Sequence, residues 1–274
     1  MDQPVAPFGQ RLRQWRQQRG WSQLALSLRA EVSARHLSWL ESGRAAPSRA
    51  MVLRLSEHLD LPPRERNALL AAAGFAPLFR ERALADPALA PARAALQRLL
   101  DAHEPWPALA VDRHWNLVAA NRMLPLLLQG LPPALLAPPM NVLRLSLHPQ
   151  GLAGMIDPLP PWRAHVLARL ARQVAASGDP VLAALHAELA ALPLPAGTAD
   201  SARETDGAAP GAVDELVVPL RLNTPVGRLD FITTVTTFGA PHEVALAELA
   251  VETLLPADAA TAERLRALHA TLAR

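Results

Sequence analysis

The sequence predicts an α+β chain in two parts: an all-α N-terminal bundle of five short helices, then a larger α+β part built on a small antiparallel sheet. Three observations point there. Between Gly9 and Ala73, apolar residues recur at helical spacing in short runs, opened by serine or proline and often followed by glycine. After Pro105 the pattern gives way to short β-type runs broken by Pro, Gly and Asn. Charge divides in step with the pattern: residues 1–80 hold 12 Arg against 6 Asp and Glu, whereas residues 81–274 hold 15 Arg against 19. The expected organisation is a basic helical domain over residues 1–76, a helical connector over 77–104 and an α+β domain over 105–274.

The first helix, Gln10–Arg19, turns Leu12 and Trp15 inward and stops at Gly20. Ser22 caps the second, which puts Leu24, Ala25 and Leu28 on one apolar face. A serine at this position accepts a hydrogen bond from a first-turn N–H that has no partner inside the helix. Val32 fills the following turn. Ser33 caps the third helix, with Leu37 and Leu40 inward, and Ser48 caps the fourth, with Val52, Leu55 and Leu59 inward. Pro62 and Pro63 start the fifth, which carries Leu69 and Leu70 and ends at Gly74.

Pro91 starts the connector helix, whose apolar positions are Leu96, Leu99 and Leu100, and Pro105 ends it. Leu109–Val111 and Trp115–Val118 read as strands joined by Asp112-Arg113-His114. Asn121–Leu128 is helical, 130–139 is a proline-rich loop, and Leu143–Leu147, Pro161–Ser177 and Pro180–Leu192 are helices. Residues 193–214 are low in complexity and read as mobile. Strands over Glu215–Leu222 and Gly227–Thr237 flank the turn Asn223-Thr-Pro-Val226. Val244–Leu255 fits helix or strand by pattern, and the preceding hairpin favours strand; Thr261–Leu272 is a terminal helix.

Composition excludes several functions. The chain has no cysteine, which removes disulfides, thiolate catalysis and Cys-type metal sites. No apolar run has the length of a membrane span or the pattern of a signal peptide, so the expectation is a cytoplasmic protein with no membrane partner. The high pI, near 10.6, reflects a chain without lysine or tyrosine and carries little information.

Two short capped helices, opened by Ser22 and Ser33, lie in the basic segment at the spacing of a DNA-reading module. With Arg11-Leu12-Arg13, Trp21-Ser22-Gln23, Val32-Ser33 and the run Leu40-Glu41-x-Gly43-Arg44-x-x-Pro47-Ser48, residues 9–74 resemble the Xre/lambdoid-repressor family of helix-turn-helix proteins. The resemblance implies a helix that enters the major groove from its capping Ser33, with Ala34, Arg35 and Trp39 toward base edges. Arg35 can then pair bidentately with guanine, for about 1–3 kcal/mol of discrimination. Gln23 matches a phosphate-binding position, and Arg44 and Arg49 are further phosphate contacts. Trp39 is open to two roles, a DNA contact or packing against a neighbouring helix. Arg16 and Glu41 match a structural ion pair of the family. Glu31 stands where the family has glycine; a left-handed backbone there costs roughly 1–2 kcal/mol.

The second part carries Pro107-Ala-Leu109, Asp112-Arg-His-Trp115, Ala119-Ala-Asn121, Asn141-Val-Leu-Arg-Leu-Ser-Leu-His-Pro149 and Pro219-Leu-Arg-Leu-x-Thr-Pro-x-Gly227. On these words residues 105–256 resemble the MmyB-like ligand-binding domain. The resemblance implies a PAS-like fold, with helices over one face of the sheet, and a small apolar ligand, fatty acids first. Arg144, His148, Arg163 and His165 are the candidate partners of a ligand carboxylate. Trp115, Asn121, Trp162, Phe231 and Phe238 are candidate wall residues. Each has a structural alternative: Asp112, Trp115 and Asn121 can simply fix the first hairpin, and His148 can cap a helix.

Neither catalysis nor a metal is expected. His186-x-Glu188 lacks the cysteine partners of a zinc deaminase, and there is no His-Glu-x-x-His, Gly-x-Ser-x-Gly or phosphate-binding glycine loop. The leading expectation is a homodimeric, operator-binding transcription regulator that senses a small apolar ligand and has no cofactor beyond it. One alternative is a DNA-binding protein whose second domain is a ligand-free dimerisation or docking module, which would show a filled core where the sensor shows a cavity. The other is a metal-dependent enzyme with an accessory DNA domain.

Overall fold

A computed structural model describes residues 7–194, 218–238 and 243–272. The chain divides into two compact units. One comprises the described residues of Met1–Leu84 together with those of Gly239–Ala247; the other comprises those of Ala85–Phe238 and Glu248–Arg274.

The first unit holds helices α1 (Phe8–Gln18), α2 (Gln23–Arg29), α3 (Ala34–Glu41), α4 (Arg49–His58) and α5 (Pro63–Ala72). The serines cap as their spacing predicts: Ser22, Ser33 and Ser48 accept from the N–H groups of Ala25, His36 and Met51 at 3.0, 3.1 and 3.2 Å. Leu12, Leu26, Leu37, Leu40, Val52, Leu55, Leu59 and Leu70 form a fully buried core. One face differs from expectation. Leu24 and Leu28 of α2 are exposed, and Leu26, Ser27 and Ala30 are buried instead. Counting apolar residues chose the wrong face because Leu26 and the small Ala30, four apart, are the pair that meets the core.

The second unit begins with a 3₁₀ turn (Pro87–Leu89) and α6 (Ala90–Asp101), which buries Leu96 and Leu100 and leaves Leu99 exposed. Then come β1 (Ala108–Val111), β2 (Leu117–Ala120), α7 (Met123–Leu127), α8 (Pro133–Leu136), α9 (Val142–Leu147), α10 (Leu159–Ser177) and α11 (Pro180–Ala191). After them come β3 (Leu220–Thr224) and β4 (Gly227–Thr237). Val244–Leu255 proves to be both patterns: α12 (Val244–Ala247) belongs to the first unit and β5 (Ala250–Pro256) to the second. Helix α13 (Ala259–Thr271) follows. The expected mobile stretch and the start of the strand expected from Glu215 lie outside the described residues, apart from Pro193 and Leu194.

Five strands pair antiparallel in the order β2-β1-β5-β4-β3. Register puts Leu109 opposite Glu252, Val235 opposite Glu252, Thr233 opposite Leu254 and Leu220 opposite Phe231, so these residues share one face. The alternate residues Ala108, Ala110, Val251 and Thr253 are also buried, so the central strands are covered on both faces rather than one. The strand expected from Trp115 starts later. Asp112 Oδ1 accepts from the N–H groups of His114 (2.8 Å) and Asn116 (2.9 Å), which extends the turn and places Trp115 in it at φ 67°. The proline-rich loop contains α8, begun by Pro133.

Candidate functional site

In the first unit, α1 and α3 touch at the backbone: a Cβ on Gly9 would collide with the carbonyls of Leu40 and Glu41. A bidentate ion pair fixes the same contact. Arg16 Nε and Nη2 donate to Glu41 Oε1 and Oε2 at 2.6 and 3.0 Å, and Arg16 Nη1 donates to the Trp21 carbonyl at 2.6 Å. Both side chains are largely buried, and the hydrogen bond to Glu41 raises the arginine's pKa against the opposing effect of burial. The turn from α2 to α3 runs through Glu31 at φ 53°, the left-handed backbone at which glycine would be unstrained.

This frame presents the N-terminal half of α3 to solvent. Ala34 and Arg35 are exposed, and the Arg35 guanidinium lies 4.6 Å over the partly exposed Trp39 ring. Trp39 is therefore a platform that pre-orders Arg35 through a cation–π contact. The Ser33 oxygen is taken up by its cap. Gln23 Nε2 donates to Glu41 Oε2 at 2.8 Å and keeps a second hydrogen for another acceptor. Arg44 is exposed in the turn after α3, and Arg49 donates from Nη1 to the Ala76 carbonyl at 2.7 Å.

In the second unit a cavity of ≈ 80 Å³ lies between the sheet and helices α7, α9 and α10. Its apolar wall includes Leu109, Leu124, Met140, Leu145, Val166 and Leu254. The polar lining is Ser146, Arg169, Thr233 and Glu252. Ser146 Oγ accepts from Trp162 Nε1 at 2.9 Å. Arg169 Nη1 donates to Glu252 Oε1 at 2.9 Å, and its guanidinium lies 4.2 Å over the Trp115 ring.

Of the nine candidate ligand residues, Trp162 alone is among those lining this cavity. Trp115 stands behind Arg169, buried, with Nε1 donating to Gln173 Oε1 at 2.7 Å. Asn121 is a structural knot: its Oδ1 accepts from Ala108 and Met123, and its Nδ2 donates to the Leu100 and Trp106 carbonyls. Arg144 pairs with Glu188, and Arg163 donates to the Ala190 carbonyl at 2.7 Å near the end of α11. His148 is the C-cap of α9. His165 stacks on Trp162 at 5.8 Å, its pKa lowered by burial and then by Arg169 and Arg172. Phe231 is fully buried in the core, and Phe238 is exposed at the end of β4. The missed cation, Arg169, follows Trp162 and Val166 at i+7 and i+3, so tracing that one face of α10 finds it. Glu252 had no such signal. Among the described residues no group of three His, Asp or Glu side chains is placed to hold a metal.

A capped helix that presents arginine from a helix-turn-helix frame, and an antiparallel sheet with an apolar cavity lined by one ion pair, point to a DNA-binding regulator with a ligand-binding domain. Family comparison agrees. Residues 7–69 match the helix-turn-helix domain family, and residues 92–268, more than half of the chain, match the MmyB-like transcription regulator ligand binding domain; the chain belongs to that family. No curated protein matches the chain. No helix among the described residues is long and apolar enough to cross a membrane.

Proposed function

We propose that this regulator binds its operator as a homodimer and that a small apolar ligand, a fatty acid or a related aliphatic metabolite, sets its affinity for that operator. The observation that carries the reading is the cavity. Its lining is apolar apart from four residues, the composition of a small-molecule site. A ligand-free docking module calls for a filled core at these positions, and the cavity supports the ligand reading over it. At ≈ 80 Å³ it is smaller than the roughly 150 Å³ that admits benzene in an engineered core and far below the about 300–1,000 Å³ of ordinary ligand sites. A ligand longer than a few carbons therefore has to spread α7, α9 and α10 from the sheet. That displacement supplies the difference between free and bound states that any ligand control of DNA affinity requires. On the DNA side, Arg35 on its Trp39 platform reads base edges, while Gln23, Arg44 and Arg49 lie against phosphates. A two-fold dimer sets its half-sites about 34–36 Å apart, or a multiple of that.

The test is to select operators from genomic DNA with the full-length chain. Operator affinity is then measured at fixed salt with and without C8–C16 acids and alcohols. Coupling of about 1–3 kcal/mol predicts a change of roughly 5–150-fold. Bound ligand with unchanged operator affinity would remove the regulatory coupling; no enrichment of any sequence would remove specific DNA recognition.

A further inference from the structure

We propose that residues 243–247 are a releasable latch on the DNA reader: docked, they hold it in its DNA-binding form, and filling of the cavity works them loose through β4 and β5. The proposal rests on the reading that a ligand in that cavity sets operator affinity, and it adds the sign: the ligand lowers it. The observation behind it is an insertion. Residues 243–247 belong to the first unit, yet the chain comes to them from β4 and leaves them into β5.

The docking is specific. Val244 is fully buried, its N–H donates to the Arg80 carbonyl at 2.9 Å, and Glu243 pairs with Arg80 in a parallel β-bridge. The Ala247 N–H donates to the Glu243 carbonyl at 3.1 Å, and α12 packs against α5. Helix α5 packs in turn against α4 and α1, and α1 is the helix that Arg16 ties to Glu41 of α3. A docked segment therefore steadies the part of the bundle on which the placement of α3 depends.

The docking is also weakly held. Glu243 and Arg82 stand 3.6 Å apart, beyond the length of a good hydrogen bond, with side chains 12% and 35% exposed. Glu243 Oε2 is buried and has no hydrogen-bond partner among the described residues. A buried carboxylate oxygen without a partner carries a desolvation penalty that release into water removes. Val244 is the segment's one buried side chain to set against it, so docked and released states lie close in free energy. The path to the cavity is short. Strand β4 carries Thr233 of the lining and β5 carries Glu252 and Leu254, and their ladder runs on to Thr237 opposite Ala250. Only Glu248 and Leu249 separate α12 from β5, a link of at most about 11 Å, and Leu249 is itself buried. A displacement of β5 finds little slack there to absorb it.

The experiment uses the full-length chain carrying Arg80→Cys and Glu243→Cys. The two positions are bridge partners, within the Cα separation that a disulfide spans, and the chain has no other cysteine. Oxidised glutathione closes the bond over the docked segment and dithiothreitol reopens it. Operator affinity is read by fluorescence anisotropy at fixed salt. Without ligand, Val244→Ser alone should weaken operator binding about fivefold or more, and the closed disulfide added to Val244→Ser should restore it to within about twofold of wild type. Unchanged affinity in Val244→Ser overturns the proposal, and so does a loss that closure leaves in place. With sodium decanoate as the probe, below its aggregation limit, the reduced pair should lose operator affinity about fivefold or more. The closed pair should bind decanoate and keep its affinity. A closed pair that responds like the reduced one overturns the latch and leaves ligand control standing. Decanoate that binds the wild-type chain without moving its operator affinity removes ligand control and the release step together. Matched circular dichroism of the variants separates a released segment from a loss of fold.

Discussion

Replacing Glu41 by alanine removes more than a charge. Its carboxylate is 3% exposed and receives Arg16 Nε at 2.6 Å, Arg16 Nη2 at 3.0 Å and Gln23 Nε2 at 2.8 Å. In Glu41→Ala the Arg16 guanidinium stays buried between α1 and α3 with only the Trp21 carbonyl as a partner. Leaving one member of a buried pair alone costs about 3–5 kcal/mol. Against a domain stability of about 5–15 kcal/mol, that is a large share. The loss should come from the unpaired charge and not from missing attraction. Arg16→Met with Glu41→Leu should therefore recover most of it, because apolar replacement of a whole buried pair is often neutral or better. Amide hydrogen exchange across α1 and α3 in the full-length chain, together with urea unfolding, measures both variants. A loss below about 1 kcal/mol in Glu41→Ala would refute the reasoning, since that is how a solvated surface pair behaves. So would a double variant no better than the single.

Three more expectations concern charge. Arg35→Ala should weaken operator binding by about 1–3 kcal/mol and non-specific DNA binding much less; equal losses would make Arg35 a phosphate contact. Arg49→Ala should lower the salt dependence of DNA binding by about one unit, and an unchanged slope would leave Arg49 as a strut on the Ala76 carbonyl alone. Glu104 is held at a pKa of about 2 by its hydrogen bonds from Arg122, against the opposing effect of burial, and then by His269. Its folded pKa lies below the ordinary carboxylate value, so its contribution is complete above about 4.5 and is lost as pH falls through about 2. With Arg122 largely exposed, this amounts to about 1–3 kcal/mol. Acid unfolding of Glu104→Gln should lose that part of its slope between those limits, and a slope equal to wild type would refute the assignment.

What was legible in the sequence was local. A serine three residues ahead of the N–H that it caps is visible in a string of letters, so the helices of the first unit and the strained turn at Glu31 follow from it. The face of α2 was not legible, because Leu24 and Leu28 are as apolar as Leu26 and only the packed neighbours choose between them. Trp115 was misplaced for a related reason: Asp112 and Asn116 spend their side chains on the turn and hold it open past the tryptophan. The pocket was the least legible part. Its ion pair joins residues 83 apart, on a helix and a strand that meet only after the sheet has formed. The aromatic residues and cations that stand out in the sequence, among them Phe231, Arg144 and Arg163, serve the core and the helix contacts instead.

The first unit is not built from one stretch of chain. Val244, between β4 and β5 in sequence, is fully buried; its N–H donates to the Arg80 carbonyl, and Glu243 beside it pairs with Arg82 at 3.6 Å. The polypeptide therefore passes between the units three times, after residue 84, between residues 238 and 243, and after residue 247. Here a recombination point near residue 84 would deliver a reader missing an internal valine. A working chimaera has to carry both segments.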